Sequence, residues 1–364
     1  MLGQPLIVVN LDAVAEATRR LADDLLRRGI ALIGVTKCVD GEPLIGRTML
    51  EAGCSGLADS RLSGLVKLAA HALAPLTLIR PPQPDELEAV AQVADRVCLS
   101  DVGVARVLAE HARGAALQVL LTVDLGDRRE GVLPEAAPAV ATQLSRLPGI
   151  ELAGICVNFA CLSGQLPSPE LFRQAEDVLA AIADACAGEP LLSLGGTCVV
   201  QALDGYRPRF TTELRAGGGP VFGYDFVSGS GIAGLERTDP VLSAVVLESY
   251  RKPPATPGRY GRDAFGHVPD ADLPRDDAWY SLLNLGRRDV EPQGLRPLLP
   301  GTRIVGATSD VTVLVSDEPL TPGDEVEFAV DYDALVRAIT SPYVACAYVS
   351  RQSQDRPPST RNVT

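Results

Sequence analysis

Residues 32–44 read LIGVTKCVDGEPL, an apolar run with the texture of a buried strand that stops on Lys37 and passes directly into glycine, acid and proline. A lysine at such a strand end either snorkels to water or holds its amine in a partly dry mouth, where the neutral form is favoured and can attack a carbonyl. Arg215 ends a second apolar run, TELRAG, in the same way. Two glycine-dense turns lie beside it, LGGTC at 194–198 and RAGGGPVFG at 215–223. Such turns present backbone N–H groups to a phosphate, because only hydrogen projects from the alpha carbon.

These residues need elements that bring them to one face. From about residue 30, short β-rich runs alternate with amphipathic helical stretches. The strand candidates are 30–37, 55–60, 77–80, 96–100, 117–124, 150–158, 190–196 and 212–217, separated by stretches such as EPLIGRTMLEAG and SPELFRQAEDVLAAIADACA. Eight alternating units predict an α/β chain built on a (β/α)8 barrel with right-handed crossovers. Its site would lie at the C-terminal strand ends, which carry Lys37, Asp59, Ser60, Arg80, Ser100, Asp124, Asn158, Gly195 to Thr197, Arg215 and Gly217. Strands must also stop where they meet water, and Asp59, Ser60, Arg80 and Ser100 fit that plainer reading as well. A lysine on the first barrel strand with glycine turns after the seventh and eighth points to a phosphorylated carbonyl cofactor, pyridoxal 5′-phosphate (PLP).

After about residue 230 the texture turns to proline, glycine and β-branched residues. We expect a barrel over 11–230, an all-β domain over 231–350 that recruits an early strand at 5–10, and a flexible tail over 351–364.

Composition narrows the function. A formal charge of −13 with scattered cations argues against a nucleic-acid surface. No apolar run approaches a membrane span, and MLGQPLIVVNLDAV lacks the pattern of a secretory signal, so the expectation is a cytoplasmic protein. The eight cysteines show no CxxC pairing and the three histidines no ligand spacing, so reduced core thiols and no metal are expected.

Taken in order, VTKCVDGEPL, GLADSRL, VDLGDRREGV, LRAGG, DAFGHVP, LGRRDVEPQGL, GATSDVTVL and ITSPYV resemble the fold-type III PLP enzymes of the alanine racemase superfamily, most closely its ornithine racemase-like branch. The resemblance implies an alanine racemase-like barrel and β domain, PLP as cofactor, and a head-to-tail homodimer acting on a small amino acid by two-base proton exchange at Cα. Lys37 would bind the cofactor and act as one acid/base; Arg215 would face the pyridine nitrogen. Arg129 matches the position near the phenolic oxygen, and Asn158 sits where alanine racemases place a histidine. Thr197, Cys198, Gly217 and Gly218 are phosphate-cradle candidates, as is Tyr343. Thr197-Cys198-Val199 departs from the Asn-Ser-Ser run of the branch.

In alanine racemases the second base is a tyrosine after a glycine in the β domain, supplied by the partner subunit. Here the matching run is Leu285-Gly286-Arg287-Arg288-Asp289, without the tyrosine. Asp289 and His267 are the catalytic candidates in its place; Ser309 and Asp310 are further candidates, also for substrate contact. A basic substrate such as ornithine follows from the branch. Two other readings stand beside the racemase: a PLP-dependent decarboxylase or other Cα transformation, which needs only one proton delivery, and a non-catalytic PLP-binding protein. A metal-assisted D-threonine aldolase fits poorly, because the C-terminal region lacks a His-x-Asp pair.

Overall fold

Apolar runs that have to be buried on both faces form a closed parallel barrel. The computed structural model describes residues 3–112, 116–232, 234–254, 258–259, 261–266, 268, 274, 276–351 and 359–360. After β1 (Leu6–Asn10), the barrel strands are β2 (Ile30–Val35), β3 (Gly56–Asp59), β4 (Leu76–Leu78), β5 (Arg96–Leu99), β6 (Leu117–Thr122), β7 (Ile150–Asn158), β8 (Leu191–Gly195) and β9 (Thr211–Ala216). Each pairs with its successor, and β9 closes on β2 with Ile33 opposite Arg215. The eight expected strands are these eight.

The helices between them pack by their apolar stripes. Helix Pro169–Ile182 starts on Ser168, whose hydroxyl accepts the Leu171 N–H at 3.3 Å, and buries Phe172, Ala175, Val178, Leu179 and Ile182. It also buries Glu176, which is satisfied by the Tyr206 hydroxyl at 2.9 Å and the Arg209 N–H at 2.7 Å. Inside the barrel the two-residue period of the strands puts Ser193 and Gly195 of β8, and Glu213 and Arg215 of β9, toward the axis. Arg96 of β5 bonds Glu213 of β9 although these strands are not neighbours, so both side chains lie within the barrel.

The chain divides into two units, Ala13–Thr238 and Met1–Asp12 with Asp239–Thr364. The seam therefore falls eight residues beyond the expected 230. A hairpin of β10 (Tyr224–Asp225) and β11 (Ser230–Gly231) stays with the barrel, and the N–H groups of Ile232 and Thr238 donate back to the carbonyls of Gly223 and Phe222 at 3.2 and 2.9 Å.

The second unit holds a nine-stranded sheet. It contains β12 (Val241–Lys252), β13 (Ala278–Leu283), β14 (Leu295–Pro297), β15 (Thr302–Ala307), β16 (Thr312–Ser316), β17 (Glu325–Val330), β18 (Ala345–Val349) and β19 (Ser359–Thr360), together with β1. β12 changes partners at a bulge between Val246 and Glu248: its first half pairs with β1 and β17, its second with β13. The early strand β1 pairs with β12 and β18. The unit also carries a helix, Tyr332–Thr340, that an all-β reading omits. Asp331 caps it through the Ala334 N–H at 3.0 Å, and Ala334, Leu335, Ala338 and Ile339 form its buried face. Within the segment read as a tail, β19 pairs antiparallel with β18. Among the described residues, no helix is long and apolar enough to cross a membrane.

Phe172 is fully buried between Phe159 and Tyr206, with ring centroids 5.7 and 4.9 Å away. Phe172→Ala should cost about 3–5 kcal/mol of stability through the cavity left behind, read as a lowered urea midpoint at unchanged slope.

Candidate active site

The backbone that carries Lys37 is fixed from both sides. Thr36, the residue after β2, donates its N–H to Ala58 O at 2.9 Å and its hydroxyl to Asp59 Oδ2 at 2.7 Å. Burial pushes the Asp59 carboxyl up, against the Thr36 hydroxyl and the Arg61 N–H that favour its charge. Lys37 then opens a 3-10 turn, Lys37–Val39, closed by Asp40 in the left-handed region at φ 52°. Lys67 donates its ammonium to the Asp40 carbonyl at 2.9 Å and to the Asp40 carboxylate. The Lys37 side chain itself is half-buried and makes no hydrogen bond or ion pair among the described residues. Its neighbour Cys38 is no competing nucleophile, since burial pushes the thiol up to about 12.

Arg215 lies on the axis, buried. Its Nη1 donates to Ser193 O at 3.0 Å and to the Ser193 hydroxyl, and its Nη2 donates to Val157 O at 3.1 Å. Gly195 makes this possible: a Cβ there would lie 2.5 Å from Arg215 Nη2 and 2.6 Å from Asn158 Oδ1. Arg215 and Asn158 therefore meet over a residue that has to be glycine. Burial works against the Arg215 charge, but the acidic groups around it, the Glu213 carboxylate among them, outweigh it and hold the cation.

Asn158 also reaches the loop that carries Arg129. Its Nδ2 donates to Asp127 Oδ2 at 3.0 Å, and Arg129 Nε lies 3.4 Å from the same oxygen and 2.6 Å from Glu130 Oε2. Asp127 further accepts the N–H groups of Leu162 and Ser163 at 2.9 and 3.3 Å. Burial opposes its charge, yet Leu162, Asn158, Ser163 and Arg129 together hold the carboxyl below the usual carboxylate range.

The glycine turns adjoin through Thr197, whose hydroxyl oxygen accepts the Gly219 N–H at 3.0 Å. The hydroxyl proton stays available to an anion. Gly217 packs against β2, where a Cβ would lie 2.9 Å from Val35 O; at Gly218 a Cβ would meet nothing nearer than 3.5 Å, so its bare alpha carbon leaves room in front of Thr197. Cys198 is buried, its thiol facing Phe159 O at 3.9 Å and pushed up to about 12 by burial, so only its backbone N–H could serve an anion. Lys37, Arg129, Asn158, Thr197, Cys198, Arg215, Gly217 and Gly218 thus gather at the C-terminal ends of the barrel strands. Asp59, Arg80 and Asp124 have structural partners there: Thr36, Glu86, and the N–H groups of Gly126 and Arg128.

The remaining candidates belong to the sheet unit. Asp289 is buried and accepts the Ser341 hydroxyl at 2.7 Å; no arginine pairs with it among the described residues. Gly286 sits directly beneath the backbone of Ser309 and Asp310. Ser309 O accepts the Arg288 N–H at 3.1 Å, and Asp310, exposed, lies 3.4 Å from Arg288 Nη1. Arg287, which follows Gly286, donates to Ala307 O at 3.2 Å and stacks over the Phe265 ring. Tyr343 is exposed. His267 lies outside the described residues.

Residues 9–224 match the family described as the alanine racemase N-terminal domain. The chain belongs to this family. It is 30% identical over 351 residues to the lysine racemase of Thermotoga maritima, covering 94% of this chain and 98% of that protein. It is also 30% identical over 302 residues to the ornithine racemase of Acetoanaerobium sticklandii, covering 79% and 83%. These similarities place it in the racemase branch. In fold it is similar to an alanine racemase of Clostridium difficile 630, with a TM-score of 0.74 at 16% identity over 96% of each chain. It is likewise similar to the D-threonine aldolase of Filomicrobium marinum, with a TM-score of 0.73 at 18% identity over 97% and 94%.

The donor set suits a phosphorylated pyridine aldehyde: an unpaired lysine amine, a fixed guanidinium, and a hydroxyl with a bare glycine turn before it. Asp127, Ser193 and Glu213 escaped the sequence reading. Ser193 and Glu213 were signalled by their spacing, each two residues from a recognised inward position on its own strand. Asp127 had only its place in DLGDRREG.

Because the Asp127 pKa is lowered by folding, its contribution is complete above the unfolded value of about 3.9 and disappears as pH falls through the folded one. Asp127→Asn should therefore lose about 1–3 kcal/mol near neutral pH, and the gap to wild type should close on acidification, measured as melting temperature against pH.

Proposed function

We propose that this chain is a PLP-dependent racemase of a basic amino acid, working in the cytoplasm as a homodimer. The observation that carries the reading is the placement of an unpaired Lys37, a fixed Arg215 and the Thr197 turn at the ends of β2, β9 and β8, which are neighbours around the barrel. Bound there, the cofactor would supply an aldehyde carbon reactive toward amines and a conjugated ring able to accept an electron pair from Cα.

The chain's own residues supply the rest. Lys37 Nζ would hold the cofactor and then take or return the Cα proton on one face. Arg215, already engaged through Nη1 and Nη2, would face the ring nitrogen and disfavour its protonation, because a second positive charge beside a fixed cation is costly. That limits electron withdrawal and suits proton exchange over deeper bond rearrangement. Thr197, Gly218 and the backbone N–H of Cys198 would hold the phosphate. Asn158 and Arg129, tied together by Asp127, would border the ring.

The second face needs another proton carrier from the partner subunit. Asp289 turns its carboxylate inward onto Ser341, whereas Asp310 is exposed and can reach a neighbouring molecule. We assign the second acid/base to Asp310, with Ser309 beside it. The basic substrate is supported by the two racemases that match most of the chain, one of lysine and one of ornithine.

Proton NMR in deuterium oxide with L-lysine and L-ornithine should show loss of the Cα signal, with the D-enantiomer on chiral analysis and no carbon dioxide. Carbon dioxide release with a single proton delivered would instead establish a decarboxylase, and a visible cofactor band without exchange would leave a cofactor carrier. Lys37→Ala should abolish the visible band of bound cofactor; a variant that keeps it would refute the lysine assignment. Asp310→Asn should lower kcat at least about a hundredfold if that carboxylate moves a proton, while Asp289→Asn should act mainly on stability.

A further inference from the structure

The interior of the barrel below Arg215 holds charge that no step above uses. Arg96 donates from Nη1 to both oxygens of Glu213, at 3.1 and 2.9 Å, and from Nε to Gln118 Oε1 at 3.2 Å. Ser193 Oγ lies 2.6 Å from Glu213 Oε1 and also meets Arg215 Nη1. Glu213 and Ser193 are both buried. Barrels of this kind are normally filled by layers of branched apolar side chains, and ionised groups taken out of water are expensive unless paired.

The donor inventory fixes the direction of the chain. Arginine can only donate and an ionised carboxylate can only accept, so the Ser193 proton points to Glu213 and the oxygen lone pair receives Arg215. The order is Arg96 to Glu213, Ser193 to Glu213, Arg215 to Ser193. A direct Glu213–Arg215 pair would neutralise the guanidinium where it stands. With one hydroxyl interposed, Glu213 bonds Arg96 directly and acts on Arg215 only through space, holding its charge without occupying its N–H groups.

We propose that Arg96, Glu213 and Ser193 are positioning residues that set the orientation and effective charge of Arg215 beneath the cofactor ring; this deepens the racemase reading and rests on it for the ring. The hydroxyl locks Nη1 while the carbonyls of Ser193 and Val157 hold the plane of the guanidinium. Nε makes no hydrogen bond among the described residues, so it is the donor of the guanidinium left for a ligand.

The anchor is tested first in cofactor-free protein, by urea unfolding of Ser193→Ala and Arg215→Lys, singly and together. The inference expects strongly non-additive stability effects, since each change breaks the same bond. The loaded protein is tested next with Ser193→Ala and Glu213→Gln. Both should shift the visible band of bound cofactor and lower kcat about tenfold while KM stays within about twofold, the size expected for one charge-assisted hydrogen bond felt in the transition state.

Additive stabilities would overturn the anchor. Non-additive stabilities with an unchanged band and kcat would overturn the positioning role and leave a structural plug. Should the wild type show no visible band with added pyridoxal phosphate, the racemase reading and the link to the ring fall together, and the cycle on cofactor-free protein still decides whether Ser193 anchors Arg215.

Discussion

A guanidinium buried inside a parallel barrel has to be held by its surroundings, and the strands around Arg215 are built to that requirement. β7 contributes the Val157 carbonyl and β8 the Ser193 carbonyl and hydroxyl. Gly195 removes the side chain that would otherwise occupy the space between Arg215 and Asn158. Because inward positions recur every second residue, placing Arg215 on the axis also places Glu213 there, and an inward carboxylate calls for Arg96. The polar interior follows from one buried cation and the strand period.

The mouth above this floor is organised by backbone bonds to carboxylates. Asp127 ties the loop after β6 to Asn158 at the end of β7 and to the Leu162 and Ser163 amides beyond it. Asp59 does the same for the residues next to Lys37, and Asp40 is pinned by Lys67. Loops bonded in this way carry side chains on backbone that cannot drift, which a reaction dependent on placement requires. Lys37 is the exception by design of its surroundings: its main chain is fixed and its amine is left unengaged.

In the sheet unit, the run after β13 is shaped by a close backbone approach. Gly286 keeps its glycine because the Ser309–Asp310 backbone lies against it, while the next position holds Arg287, committed to Ala307 O and Phe265. The surface there carries a guanidinium with the Glu291 carboxylate 3.7 Å away.

The sequence by itself determined the eight barrel strands, because each is a short apolar run bounded by turn residues. It also determined Lys37, Arg215 and the two glycine turns, because they end those runs. The helix Tyr332–Thr340 does not show in the sequence because it lies alone among strand-like runs, where the change of texture after about residue 230 speaks for β structure. Only the tertiary structure decided that Ser193 meets Arg215 and Glu213, that Arg96 crosses the barrel, and that Asp127 joins Asn158 to Arg129. These groups come from strands and loops far apart in the chain, and closure of the barrel is what makes them neighbours.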